Sequence, residues 1–235
     1  MNCPANVFCE SKLIVFDMDQ TLIDAETIDE LARAAGVAGE VEKITRKAMS
    51  GDLDFGEALR ERVKLLEGLP LKAAQAAISE ISFMPGAKEL ISYVKGMGYT
   101  TAMISGGFTL SAERVGKALG IDYVVSNELF VKDGRLTGQV GGPLTFADSK
   151  ACVFEELARL NGVLPEECIA LGDGANDVCI FEKAGFAIAF NPKPVLKQYA
   201  DVIISKKDLR AVIPVLESLG HLSRNKAQHV DIEEE

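Results

Sequence analysis

The chain has no tryptophan and only two histidines, and its five cysteines form no CxxC pair in 235 residues. His221 and His229 both lie near the C-terminus. Cys3, Cys9, Cys152, Cys168 and Cys179 therefore have no basic partner in sequence that would activate a thiolate, and cysteine catalysis is set aside. Their odd number and scattered spacing fit free thiols in a reducing compartment better than a disulfide framework. Positive charge is also scarce: 25 Lys and Arg against 35 Asp and Glu leave a net charge of −10. That balance argues against DNA, RNA or an anionic membrane surface as partner. It still admits a small phosphorylated substrate, because a bound metal and a few local cations reverse the field at one site. No apolar run reaches the ~20 residues of a membrane span. Met1–Ser11 lacks a basic start followed by an apolar stretch. The expectation is a soluble, cytoplasmic protein. There is no internal repeat and no Walker A sequence. Gly172-Asp173-Gly174 would need glycine at 177 to make a dinucleotide loop, and Asp177 stands there.

What is present begins with an apolar run, Leu13-Ile14-Val15-Phe16, that reads as a buried strand ending at Asp17-Met18-Asp19-Gln20-Thr21. From Glu26 to about Ser82 the chain is rich in Ala, Glu, Lys and Leu, with helical spacing in Ile28, Leu31 and Ala35 and in Leu59, Val63 and Leu66. Gly36, Gly39, Gly51, Gly68 and Pro70 divide it into about four short helices. From Phe83 onwards helices and strands alternate. Helices are expected over 85–98, 108–119, 148–161 and 208–219, and strands at 99–104, 123–126, 168–171, 186–189 and 201–204. Leu129–Val131 and Leu136–Gly138 flank Lys132-Asp133-Gly134-Arg135, a hairpin turn signal.

This pattern predicts an α/β protein with a doubly wound parallel sheet, an inserted helical cap domain and a small β-hairpin. The domain division is 12–25 and 83–219 for the core and 26–82 for the cap. The polar, acidic tail 220–235 is expected to be disordered.

The chemistry is carried by carboxylates at strand ends. In open α/β sheets the carboxyl edge is where ligands bind. Asp17 and Asp19 end the first strand, and Gly172-Asp173-Gly174-Ala175-Asn176-Asp177 follows Cys168–Leu171. Phosphate-ester hydrolysis needs an in-line nucleophile, a proton for the departing alkoxide and neutralised charge. One Asp can act as nucleophile and a second carboxyl as acid and then base. Mg2+ takes one or two carboxylates together with phosphate and water, and Asp173 and Asp177 complete such a site. Ser105 and Gly106 stand at an expected strand-to-helix turn, where exposed N–H groups hold anions. Lys150 falls in the first turn of an expected helix, where the dipole gives a cation nothing, so a functional role accounts for it better.

Asp17-Met18-Asp19-Gln20-Thr21 resembles the DxDx[TV] motif of the haloacid-dehalogenase superfamily. Ser105, Lys150 and Gly172–Asp177 resemble its three remaining motifs, in order. Within that superfamily the chain is most similar to the phosphoserine phosphatase family, over roughly Lys12 to Leu216. The resemblance implies Asp17 as nucleophile and Asp19 as acid/base. It implies Mg2+ on Asp17, Asp173 and the main-chain carbonyl of Asp19, with Asp177 supporting. It gives Glu26 to the substrate ammonium, Arg62 to the substrate carboxylate, and Met49 and Phe55 to the pocket wall. Ser105, Gly106, Lys150 and Asn176 would hold phosphate or substrate. The implied reaction is hydrolysis of O-phospho-L-serine through a phosphoaspartate, the last step of serine biosynthesis. Gln20 departs from the Gly or Ser usual at that position, and 141–145 matches no role.

Blander readings stand beside these. Glu26 also suits the first turn of a helix, Arg62 a solvated cap face, and Met49 and Phe55 the core of a small bundle. Alternative functions are phosphotransfer from phosphoserine to another alcohol such as homoserine, or a non-turnover phosphoaspartate signalling domain. The small phosphorylated amino acid is the expected partner, with no nucleic acid or membrane, and both monomer and homodimer remain open.

Overall fold

The structure, a computed structural model, describes residues 12–49, 52–146 and 148–219. The acidic tail, Cys3, Cys9, His221 and His229 lie outside the described residues. In β1 (Lys12–Phe16) alternate residues enter two separate cores: Ile14 and Phe16 pack into one, Leu13 and Val15 into the other. A strand apolar on both faces needs a layer on each side, which is why it sits near the middle of a covered sheet.

Four helices follow before the sheet resumes: α1 (Thr27–Ala35), α2 (Ala38–Met49), α3 (Phe55–Lys64) and α4 (Leu71–Ser79). Gly36 ends α1 in the left-handed conformation at φ 74°, and Asp54 caps α3 by accepting from the amides of Gly56 and Glu57. The inner faces of these helices, through Ile28, Leu31, Leu59, Val63 and Ile78, join the core that holds Ile14 and Phe16. The chain leaves and re-enters the sheet through one narrow neck. There Asp24 N donates to Ser82 O at 3.0 Å and Met84 N to Leu22 O at 2.9 Å.

The remainder alternates as α5 (Ala87–Gly96), β2 (Tyr99–Phe108), α6 (Thr109–Leu119), β3 (Tyr123–Lys132), β4 (Arg135–Gly141), α7 (Ser149–Leu160), β5 (Ile169–Gly172), α8 (Val178–Phe181), β6 (Phe186–Phe190) and β7 (Val202–Ile204). A last helix covers 213–219. The seven strands run in the order β4-β3-β2-β1-β5-β6-β7. All pairs are parallel except β3 with β4. Reversal of strand order on either side of β1 opens a crevice at the carboxyl ends of β1 and β5. The doubly wound sheet, the early helical insertion and the hairpin all appear as expected. Among the described residues no helix is long and apolar enough to cross a membrane.

Two local details differ from the expectation. Ser105-Gly106 does not lie in a turn after β2 but inside it. Ser105 pairs with Ser126 and Phe108 with Asn127, so Gly106 and Gly107 bulge out unpaired. Absence of a side chain lets Gly107 follow this path, since a methyl there would stand 3.0 Å from Ser105 Oγ and 3.1 Å from Met18 Cε. The expected short strand 123–126 is likewise the first half of β3, which runs on into the hairpin. The tip of that hairpin meets the helical block. Leu136 N donates to Leu69 O, Gly68 N to Leu136 O and Leu71 N to Gly134 O, each at 2.9 Å. Arg135 adds a 2.7 Å bond to Gly68 O.

Candidate active site

Asp17 is the first residue past β1 and is 6% exposed. Its amide extends the sheet ladder to Leu171 O at 2.9 Å, which fixes the carboxylate at the crevice. The end of β5 delivers Asp173, and the tight turn Ala175–Asp177 folds Asp177 back beneath it. One Asp177 oxygen accepts from the amides of Asp173 and Gly174, both at 3.1 Å. Gly172 is required by that packing: a methyl there would come within 2.3 Å of Asp177 Oδ2. Asp17, Asp173 and Asp177 are all buried, and an oxygen of each lies within 4.8 Å of the others. Three buried carboxylates facing one point are a hard-oxygen donor set that fits a divalent cation.

Lys150 enters this cluster from the first turn of α7, packed down by Ala151, Phe154 and Leu157. Its ammonium donates to Asp17 Oδ1 at 2.6 Å and Asp177 Oδ1 at 2.8 Å. Burial alone would lower its pKa, but the two carboxylates reverse that and hold it above the ordinary lysine value. Burial also raises Asp17 well above the ordinary carboxylate range, with Asp177 and Asp173 adding to the rise and Lys150 opposing it. Asp173 is raised to about 6, chiefly by burial, with Lys193 opposing.

Asp19 is half-buried and bound by Thr27 at the start of α1, from the amide at 3.0 Å and from the hydroxyl at 2.7 Å. Burial and the nearby charge of Glu26 push its pKa up to about 7, against those two hydrogen bonds. A carboxyl in that range both gives and takes a proton near neutral pH. Gln20, the unusual residue of this turn, takes φ 56°, a left-handed conformation that accounts for Gly at such a position.

On the other side of the crevice, the β2 bulge presents Ser105, 1% exposed, whose Oγ accepts from Gly107 N at 3.0 Å. Asn127, fully buried, holds the bulge. Its amide nitrogen donates to Gly106 O at 3.1 Å and Leu144 O at 3.0 Å, and its oxygen accepts from Leu144 N at 2.9 Å. The unassigned segment 141–145 thus serves to anchor Asn127.

The helical block adds further groups. Phe55 opens α3 with its ring tip over Gly106, 3.7 Å from where a side chain would begin there. Arg62 is half-buried, bonds Ala58 O through Nε at 3.1 Å, and feels the charges of Glu26 and Asp29. Burial lowers its pKa while those two carboxylates oppose the change. Glu26 is the residue just before α1, and Asn176 sits half-buried in the 175–177 turn. Met49, at the end of α2, is 74% exposed and is not drawn into this cluster.

Sequence reasoning missed Asn127, Thr27 and Lys193. Lys193 follows β6, and its ammonium is 3.1 Å from Glu26 Oε1 and 3.5 Å from Asp173 Oδ2. The signal for it was present, since Asn191-Pro192-Lys193-Pro194 follows an apolar run as the two acidic motifs do.

An aspartate at the end of β1, a lysine from α7 and an acidic turn after β5, on a sheet that switches direction at that edge, define a phosphotransfer-type α/β hydrolase. The chain belongs to the haloacid dehalogenase-like hydrolase family, whose model matches residues 14–182. Within it, the chain is 47% identical over 204 residues to the phosphoserine phosphatase of Methanocaldococcus jannaschii, covering 87% of this chain and 97% of that protein. It is 50% identical over 207 residues to the phosphoserine phosphatase of Archaeoglobus fulgidus, of whose length the match spans 60%. A solved phospho-aspartyl intermediate analogue of phosphoserine phosphatase superposes with a TM-score of 0.84 at 47% identity, over 87% of this chain and 98% of that one.

Proposed function

We propose that the chain is a Mg2+-dependent phosphoserine phosphatase that converts O-phospho-L-serine and water to L-serine and phosphate. The observation that carries this is the convergence of Asp17, Lys150, Asp173 and Asp177 beside Asp19 at one sheet edge. The similarity to phosphoserine phosphatases across almost the whole of the Methanocaldococcus protein supports the substrate.

In this reading an Asp17 carboxylate oxygen attacks phosphorus and the bond from phosphorus to the serine oxygen breaks. Asp19 gives its proton to the departing oxygen, which leaves as the hydroxyl of L-serine. A water then loses a proton to Asp19 and attacks the same phosphorus. The phosphoaspartate opens, phosphate leaves, and Asp17 and Asp19 return to their starting states. A carboxyl with pKa about 7 suits both halves of Asp19's task. Mg2+, held by Asp17, Asp173 and the Asp19 carbonyl with Asp177 in support, would neutralise phosphate charge as it builds. Lys150 fixes Asp17 in its attacking position, and Ser105 with the Gly106 amide receives phosphate oxygens.

Glu26 takes the substrate ammonium and Arg62 the carboxylate, with Phe55 and Asn176 around them. Residues 26–82 form a cap domain over a core of 12–25 and 83–219, and the cap excludes bulk water during transfer. The free thiols Cys152, Cys168 and Cys179 suit a reducing cytoplasm.

The test is Mg2+-dependent phosphate release from phospho-L-serine, phosphothreonine and glucose 6-phosphate, with Arg62→Ala and Asp17→Asn alongside. Strong preference for phosphoserine, lost in Arg62→Ala and with turnover abolished in Asp17→Asn, is the expected result. Equal rates on all three substrates would remove the phosphoserine assignment.

A further inference from the structure

Of the two lysines in the crevice, Lys150 is 5% exposed and locked between Asp17 and Asp177. Lys193 is different. Its backbone is fixed: it stands between Pro192 and Pro194, its amide donates to Asp173 O at 2.8 Å, and its carbonyl accepts from Leu196 N at 3.1 Å. Its side chain is 43% exposed and reaches across the crevice. The ammonium touches Glu26 Oε1 at 3.1 Å and lies 3.5 Å from Asp173 Oδ2. Glu26 belongs to the entrance of α1 and Asp173 to the end of β5, so one cation joins two elements far apart in the chain.

Resting on the functional reading above, both contacted groups are cation sites. Asp173 is to hold the metal and Glu26 the substrate ammonium. We infer that Lys193 is a built-in counter-ion of the crevice carboxylates and a specificity-determining residue, competing with the metal for Asp173 and with the substrate ammonium for Glu26. The residues facing its ammonium are Glu26, Asp173 and, at longer range, Asp17. All are acidic, so the crevice carries negative charge that Lys193 offsets.

Two consequences follow. A metal entering at Asp173 displaces a cation already there, so removing Lys193 tightens metal binding. A substrate without an ammonium leaves the Glu26–Lys193 pair intact and forfeits little, so Lys193 softens discrimination for the amine. Without Lys193, Glu26 is bare and the discrimination sharpens. A partly exposed ion pair is worth up to about 1 kcal/mol, or roughly fivefold, and each effect is of that order.

The experiment compares wild type, Lys193→Met and Lys193→Arg in two measurements. Calorimetric titration of the metal-free proteins with Mg2+ reads metal affinity without turnover. The ratio of kcat/KM for phospho-L-serine to that for the phosphate ester of 3-hydroxypropionate, which lacks only the amine, reads selectivity. Lys193→Met should bind Mg2+ several-fold more tightly and raise the ratio several-fold, while Lys193→Arg stays near wild type. Unchanged or weaker Mg2+ binding in a folded Lys193→Met, or an unchanged ratio, overturns the inference. Should Lys193→Met fail to fold, Lys193→Gln supplies the same comparison. Failure of the underlying reading looks different: wild type itself would bind no Mg2+ or would not prefer phosphoserine.

Discussion

Lys150 donates to Asp17 over 2.6 Å although 133 positions separate them in the chain. The bond joins the first strand of the sheet to the helix before β5, and it places one positive charge among three buried carboxylates. Removing one partner of a buried pair typically costs ~3–5 kcal/mol, less where the orphaned acid takes up a proton. Lys150→Met should therefore melt at a lower temperature than wild type without metal and recover part of the loss in excess Mg2+. Turnover should fall at least about a hundredfold, as for other lost charge-stabilising groups. Thermal melts with and without Mg2+, alongside steady-state rates, check both.

Asp19 sets a pH dependence. Protonated, it supplies the proton that the leaving serine oxygen takes up, so single-turnover release of L-serine should decline as pH rises through about 7, and Asp19→Asn should abolish the release at every pH. The stability sign is fixed by the same shift. The folded state binds this proton more tightly than the unfolded state, whose pKa is about 3.9. The stabilising contribution is full below the unfolded pKa and is lost as pH rises through about 7. Metal-free Asp19→Asn should accordingly gain melting temperature over wild type at pH 8 and lose that advantage near pH 4.

Asn127→Ala tests the support behind the Ser105–Gly107 bulge. The substitution leaves the amide and carbonyl of Leu144 and the carbonyl of Gly106 without their side-chain partner in a buried setting. Unsatisfied buried groups cost roughly 1–3 kcal/mol each, so denaturant unfolding should report a loss of at least ~2 kcal/mol. The substrate KM should rise as the Gly106 bulge loosens, with the metal affinity unchanged.

Gly172→Ala should act in the opposite way. Its added methyl meets Asp177 Oδ2 at 2.3 Å and must push that carboxylate off the amides of Asp173 and Gly174. Overpacking of this kind costs ~1–3 kcal/mol. Mg2+ affinity, read by calorimetry, should weaken several-fold.

The parts of the site legible in the sequence are those where composition and position coincide. Asp17, Asp19 and Asp173 each follow an apolar run, so the strand reading alone carries them to the sheet edge. Lys150 was visible as a cation where the helix dipole offers it nothing. The β2 bulge was not legible, because a Ser-Gly-Gly run ends a strand as readily as it bends one. The two readings differ only in whether Phe108 pairs again, and that depends on Asn127 on another strand. Thr27 acts through two hydrogen bonds to Asp19, and Asn127 through three to Gly106 and Leu144, and neither leaves a local pattern. Arg62 could have faced solvent on helical periodicity alone. The α1 entrance and α3 bring it into the field of Glu26 and Asp29 instead.

The contact between the hairpin tip and the helical block has a meaning for the order of assembly. Gly68 and Arg135 are 67 residues apart. During synthesis the four helices emerge before any of the residues that seat them on that side exist. Until β3 and β4 have paired, the edge formed by Gly68, Leu69 and Leu71 has no partner, and the helices hold to the sheet through the neck at residues 22–24 and 82–84 and the core they share with Ile14 and Phe16. Forming the β3–β4 hairpin is slow compared with forming any of the helices. The seating of that edge of the helical block is therefore timed by the arrival of a turn encoded well downstream.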